Sequence, residues 1–219
     1  MAKISFLTIK NSLLKVTEEL EKNRQYFNDL DAPIGDSDHG DTVWSAFKTV
    51  KEAVLAVKSN ENDIGALLKS AGQALIFSAG GAMGPLYGSA FSEAGKVVSG
   101  KSEIEYKEFV EMWSAFAGAI GKRGEKIGDK TMFDTIRPAI DALENAYRGG
   151  SELKAACSQV VTAAKKGMEA TRDMVALRGR SSRLGERSLG HLDPGAASMY
   201  SVVSAFFNYI AESTDLFMN

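Results

Sequence analysis

Apolar residues recur along this chain at intervals of three and four, almost from end to end, and that spacing limits what it can fold into. Phe6, Ile9, Leu13, Val16, Leu20 and Phe27 mark one face of a first helix. Val43, Phe47, Val50, Val54 and Val57 mark a second. Ile64, Leu67, Leu68, Ala71 and Leu75 mark a third, entered through Asn62-Asp63, both good N-cap types. Leu86, Phe91, Ala94 and Val98 give a fourth, and Tyr106, Phe109, Trp113, Phe116 and Ile120 a fifth. Phe133, Ile136, Ile140, Leu143 and Tyr147 give the sixth, with Thr131 and Asp134 placed as a capping pair. Pro138 should kink this helix or displace its start. The seventh is long, from Leu153 through Cys157, Val160, Ala164, Met168 and Thr171 to Val175. Tyr200, Val203, Phe207 and Ile210 form the eighth, with Asp193 at its N-cap and Pro194 at the first helical position, where a missing N–H is no loss. No alternating run of five or more residues predicts a strand. Eight helices with short connections predict an all-α fold, an antiparallel bundle or barrel, formed as one domain over residues 1–219. Gly149-Gly150-Ser151 reads as a helical hairpin rather than a linker.

Composition narrows the function classes. Hydrophobic residues make up 44% of the 219 and charged residues 25%, enough for one core without staples. The 26 basic and 28 acidic residues leave a net charge of −2, which argues against a nucleic-acid partner. Cys157 stands alone, so there is no internal disulfide framework and no cysteine zinc cluster, and a reducing compartment fits. With no signal-peptide core and no run of 18 apolar residues, no membrane span is expected and a cytoplasmic location is the default.

The glycines are clustered, over residues 35–40, 80–88, 121–128 and 179–195. These clusters follow the first, third, fifth and seventh helices. In an up-and-down arrangement alternate connections share one end, so the four loops should build a composite site on one rim.

The first loop carries Asp31, Asp36 and Asp38 in a glycine-bounded turn before His39. Three carboxylates this close suit Mg²⁺ or Ca²⁺, although aspartate also serves as a turn former and N-cap. An EF-hand is excluded, because Asp41 stands where the glycine is needed and Phe47 where the glutamate is needed. The second loop, Gly80-Gly81-Ala82-Met83-Gly84-Pro85, opens a helix and offers backbone N–H groups to phosphate, or simply makes a tight helical turn. Gly95 to Ser102 matches the P-loop pattern letter for letter, but it follows a helix instead of a strand, so it reads as a polar connection. The third loop contains Gly128-Asp129-Lys130-Thr131 at another helix start. The fourth is long and holds Arg178, Arg180, Arg183 and Arg187, which suit bidentate phosphate contacts or a solvated basic loop. Trp44, Trp113 and the methionines are most simply core. No Ser-His-Asp or Cys-His pairing suggests itself. Carboxylates, N–H donors and arginines together are the parts of a nucleotide phosphate site.

Four ordered segments then carry a resemblance across nearly the whole chain. They are Asp36-Ser37-Asp38-His39-Gly40, Gly80 to Leu86, Gly128 to Met132, and Gly179-Arg180-Ser181 through Leu184 to His191 and on to Asp193-Pro194-Gly195. The chain resembles the nucleotide-binding L subunit of dihydroxyacetone kinases, which is also the C-terminal domain of single-chain ATP-dependent kinases. The resemblance implies an eight-helix barrel holding ADP or ATP at one rim through two Mg²⁺ ions. It implies Asp31, Asp36 and Asp38 as metal ligands, and His39, Gly40, Asp41 and Thr42 on the phosphate side. Ala82, Met83, Gly124, Met132, Arg180, Asp193, Pro194 and Gly195 follow as further nucleotide contacts. It also implies a homodimer, and a ketose such as dihydroxyacetone or erythrulose held covalently by a histidine on a separate K subunit. This chain alone would then lack kinase activity. Met83 stands where the family usually has serine. Thr42 resembles the ATP-dependent branch and His39 the phosphotransferase-linked one, so the donor is ATP or a phosphotransferase-system protein recharging bound ADP. The rival readings are an ADP-dependent binding module, such as a coregulator docking on a transcription factor, and a purely structural scaffold.

Overall fold

The computed structural model describes residues 3–58, 61–78 and 80–216, with side chains described up to residue 213. Ala79, in the second glycine loop, lies outside the described residues. The elements are β1 (Lys3–Ser5), α1 (Phe6–Lys22), α2 (Arg24–Asp31), α3 (His39–Ala56), α4 (Ile64–Ser78), α5 (Met83–Val97), β2 (Glu103–Glu105), α6 (Tyr106–Lys122), α7 (Phe133–Arg148), α8 (Leu153–Ala170) and α9 (Pro194–Leu216). Short 3₁₀ segments span Thr171–Asp173 and Arg180–Ser188. Each of α3 to α9 packs against the next, α9 packs back on α1, and α1 on α3. The ring is closed, so of the bundle or barrel that the periodicity allows it is the barrel, as the resemblance implies.

Two stripes end earlier than their spacing predicts. The first divides into α1 and α2 at Asn23, whose side-chain amide donates to the Glu19 carbonyl at 2.9 Å and competes with the helical ladder. The added short α2 packs on α3 and α9, outside the ring order. The seventh stops at Ala170, where the Thr171 hydroxyl donates to the Met168 carbonyl at 2.7 Å. Two three-residue strands, too short to show a period, pair antiparallel with Ile4 opposite Ile104, both buried.

The caps follow the sequence. Asp63 accepts from Ala66 N at 3.0 Å, and Asp193 accepts from Ala196 N at 2.7 Å. Asp134 accepts from Thr131 N at 2.8 Å, while Thr131 Oγ1 accepts from Phe133 N. Pro138 does not displace the start of α7. It has no N–H to offer the Asp134 carbonyl, and α8 makes its tight approach there, since a Cβ on Gly167 would lie 2.1 Å from that oxygen. Aromatic rings fill the barrel. Phe47 meets Tyr87 edge-on at 5.2 Å, Phe91 meets Phe116 at 5.1 Å, and Trp113 meets Phe207 at 4.9 Å. Trp44 departs from the core expectation: it is half-buried, with Lys51 Nζ 5.9 Å over its ring. Cys157 faces the interior from α8, and burial pushes its thiol up to about 12.

The P-loop look-alike belongs to the opposite rim. Lys101 O accepts from Ile64 N, Ser102 O accepts from Phe6 N, and Gly100 N donates to Asp63. The Lys101 ammonium is paired with Glu108. Its backbone and its charge are committed to tying strands and helix starts together.

The Gly167 contact yields a test. Gly167→Ala must force α7 and α8 apart, so it should cost about 1–3 kcal/mol of stability, as overpacking does. Urea unfolding of the variant measures this, and an unchanged midpoint would contradict the close approach.

Candidate functional site

The four glycine-rich connections meet around one cavity of about 250 Å³. Its wall includes Asp31, Asp38, His39 and Thr42 from the first connection, Gly80 to Met83 from the second, and Lys130 to Met132 from the third. Arg178 to Ser181 and Asp193 to Gly195 complete it. The expectation of a composite site on one rim is met.

Asp31 ends α2 and is buried, and its Oδ2 accepts from Asp38 N at 3.1 Å. Gly35 is needed here, because a Cβ would lie 2.0 Å from Asp31 Oδ1. Ser37 takes φ +62°, a left-handed conformation rare outside glycine, between Asp36 and Asp38. The result brings carboxylate oxygens of Asp31, Asp36 and Asp38 within 4.8 Å of one another. Arg180 answers that charge by donating through one guanidinium nitrogen to Asp36 and, at 2.8 Å, to Asp38. Lost hydration pulls Asp36 upward, but hydrogen bonds with Arg180 and Asp38 override it and leave its carboxyl below the ordinary value. Asp38 is raised, by lost hydration first and by Asp36 beside it. Hard oxygen donors this close fit a divalent cation of the Mg²⁺ type, and the guanidinium supplies positive charge at the same oxygens.

Behind the carboxylates, Asn28 organises the start of α3. Its Oδ1 accepts from Gly40 N at 2.7 Å and from Asp41 N at 3.2 Å. Both N–H groups are therefore used internally, and Gly40 and Asp41 stand off the cavity wall. The Asp41 carboxylate pairs with Arg24, and that hydrogen bond, with the one from Asn28, lowers its pKa. His39 does reach the cavity, with Nε2 3.0 Å from Ser198 Oγ. Lost hydration pushes its pKa down to about 4, so the ring is neutral at pH 7.

Across the cavity, α5 begins at Met83 with no side-chain cap. Its first-turn N–H groups and the positive helix end are left for an anion. Gly80 and Gly81 have open space around them, and Gly81 takes φ +62°. Gly124 stands behind Arg178, with Arg178 Nη2 3.1 Å from where its Cβ would be, and is off the cavity wall. Asp129 holds Arg178 through Nε at 2.8 Å. Lys130 is 1% exposed, and its ammonium donates to four carbonyls of the fourth loop's ends.

Asn28, Glu125, Lys130 and Ser198 belong to this region without being among the contacts that the sequence points to. Asn28 looked like one more polar residue on a helix, and nothing local marks its reach to Gly40. Lys130 lay inside a segment already noted, but four carbonyl partners contributed from 41 to 61 residues away leave no sequence pattern.

The DAK2 domain family matches residues 33–208 of this chain. The chain belongs to that family. It is 36% identical to the ADP-binding subunit DhaL of PEP-dependent dihydroxyacetone kinase 2 from Listeria innocua, over 89% of this chain and 90% of the relative. It is 34% identical to the corresponding DhaL subunit of Escherichia coli, over 90% and 93%. It is 33% identical to L-erythrulose 1-kinase of Mycolicibacterium smegmatis, over 83% of this chain but 32% of that longer protein. Among solved structures, the dihydroxyacetone kinase of C. freundii superposes with a TM-score of 0.69 at 27% identity, over 94% of this chain and 34% of that one. Its complex with AMP-PNP and Mg²⁺ gives 0.66 at 26% identity, over 94% and 33%. This chain thus spans about one third of the solved kinase chains it matches.

Asp193 supplies a pH test. Burial drives its carboxyl up to about 7, against hydrogen bonding from Ala196 N and the charge of Lys130. The folded state then holds a proton that the unfolded chain, with a carboxyl near about 4, has lost. The stability it contributes is full at low pH and is lost as pH rises through about 7. Asp193→Asn keeps a capping oxygen without the titration. From pH 5 to pH 8 the variant should gain stability relative to the parent in urea unfolding, and parallel pH profiles would refute the assignment.

Proposed function

We propose that this chain is the nucleotide-binding subunit of a dihydroxyacetone-type kinase, passing a phosphoryl group from Mg-ATP to a small ketose carried by a separate K subunit. One observation carries the reading. Asp31 and Asp38 of the three-carboxylate cluster, the uncapped start of α5, and Arg178 and Arg180 face one another across one cavity, with Asp36 beside it. Phosphoryl transfer needs positioning and charge neutralisation more than covalent protein chemistry, and these residues supply both.

In this reading Asp31, Asp36 and Asp38 hold Mg²⁺, two ions in the full form. Magnesium, when bound, neutralises the phosphate oxygens and fixes their orientation. The start of α5 at Ala82 and Met83 receives phosphate through backbone N–H groups, so the departure from the usual serine at Met83 forfeits only a hydroxyl. Neutral His39 and Thr42 border the phosphates without adding charge. Met132 gives the base an apolar surface, and Asp193, Pro194 and Gly195 close the far wall. Arg180, freed from Asp36 and Asp38 once a cation takes those oxygens, turns to the phosphates. Gly40, Asp41 and Gly124 act from behind, shaping the loops that make the contacts.

The ketose and its activating histidine belong to the partner, so turnover requires the complex. The names of the relatives from Listeria innocua and Escherichia coli include PEP-dependent, and that of a Lactococcus lactis relative includes PTS-dependent. These names support a phosphotransferase-system protein that recharges bound ADP. Among the described residues no helix is long and apolar enough to cross a membrane, which agrees with work in the cytoplasm.

Calorimetry with ADP and Mg²⁺ tests the site. Asp36→Asn and Asp38→Asn should each weaken binding by at least about tenfold, the scale seen when metal-ligand shells are disturbed. Helical circular dichroism should stay unchanged, because the carboxylates repel one another and the fold does not depend on them. Unchanged affinity in both variants would remove the metal assignment.

A further inference from the structure

The fourth connection leaves the barrel at Thr171 and returns to it at Asp193, and its two ends are tied to each other. Gly190 N donates to Arg172 O at 2.8 Å, Ala176 N to Ser188 Oγ at 2.8 Å, and Asp193 N to Thr171 Oγ1 at 3.1 Å. The segment is thus a neck with an excursion, in the manner of a compact surface loop whose ends lie close together. Arg178, Arg180, Arg183 and Arg187 all lie on the excursion.

A single side chain from another connection sits in that neck. Lys130 Nζ donates to Thr171 O at 2.7 Å and Met174 O at 3.1 Å on the outgoing strand of the neck. The same nitrogen donates to Ser188 O at 2.8 Å and His191 O at 2.6 Å on the returning strand. An ammonium carries three protons in a compact head, so it can gather several carbonyls arriving from different directions, where a planar guanidinium cannot. Lys130 is 1% exposed and takes φ +60°, a backbone conformation seldom adopted outside glycine. Strain of that kind persists only where surrounding contacts hold it.

We propose that Lys130 is a positioning residue for the arginine loop: its buried ammonium pins both ends of the excursion, so that Arg178 and Arg180 meet the cavity from a fixed base. The excursion is then a flap held at both ends, with Asp129 accepting from Leu177 N and Arg178 within it. Because Thr131 and Met132 line the cavity directly beside Lys130, the pin also keeps the flap in register with the third connection. The consequence for nucleotide release rests on the function proposed above, whereas the pinning itself does not.

Two measurements separate these parts. Lys130→Met keeps an unbranched apolar stem, one atom shorter, and removes every donor, and Lys130→Gln has a similar reach but keeps two N–H groups. Leu13→Ala, in the core of α1, provides a variant of lowered stability away from the loop. Hydrogen exchange without nucleotide should quicken at residues 171–193 in Lys130→Met, with α5 and α6 as protected as in the parent. Release of a fluorescent ADP analogue in Mg²⁺ should be at least about tenfold faster in Lys130→Met, intermediate in Lys130→Gln, and unchanged in Leu13→Ala. If the Met variant does not fold, the Gln variant carries both measurements. Unchanged exchange over residues 171–193, or loosening spread evenly over the barrel, would overturn the pin. Faster loop exchange with parental release would overturn its role in positioning the arginines. Should the parent itself bind no ADP analogue, the proposed function fails while the exchange experiment still decides the pin.

Discussion

Three carboxylates within 4.8 Å of one another repel, and the rim of this barrel is built around that repulsion. Like charges at this range are tolerable only beside a positive one. In the structure that charge is the Arg180 guanidinium, delivered from a loop about 140 residues further along the chain. The attraction draws the fourth connection across the cavity towards the first. Any divalent cation that takes the same oxygens removes the reason for Arg180 to stay.

The closed ring sets these groups together at one end. A helical barrel whose connections alternate between two ends divides the molecule by chemistry. One end gathers the carboxylates, the uncapped start of α5 and the arginines. The other is stitched by the β1–β2 ribbon, the Asp63 cap and the Lys101–Glu108 pair. The N–H groups at the start of α5 are left for a ligand at the first end, whereas the Gly100, Lys101 and Ser102 backbone is used internally at the second.

Much of this was legible in the sequence. The apolar stripes mark the helices of the ring, because burial on one face demands a period near 3.6 residues. Asp63, Asp134 and Asp193 announced helix starts, because a cap is a local contact. The glycine clusters on alternate connections located the rim. Where local cues end, the reading ends too. Nothing in the apolar spacing reveals that the Asn23 amide would interrupt the first stripe, or that α8 would stop at Ala170. The contacts of Asn28 and Lys130 leave no pattern because their partners are distant in sequence, and the backbone bonds of Gly40 and Asp41 to Asn28 appear only in the fold. Trp44 looked like core because size alone suggests burial. The two strands, each of three residues, are too short for alternation to register.

Cys157 has a consequence of a different kind. It points inward from α8, 1% exposed, with a thiol pushed up to about 12, so almost no thiolate exists at neutral pH. Oxidants and alkylating reagents reach it only when the barrel itself opens. The neck of the arginine loop begins beyond the end of that helix, at Thr171. The molecule thus carries a chemical reporter of opening in its interior, set apart from the ligand-facing rim. The rate at which that one sulfur reacts would time the opening of the whole ring.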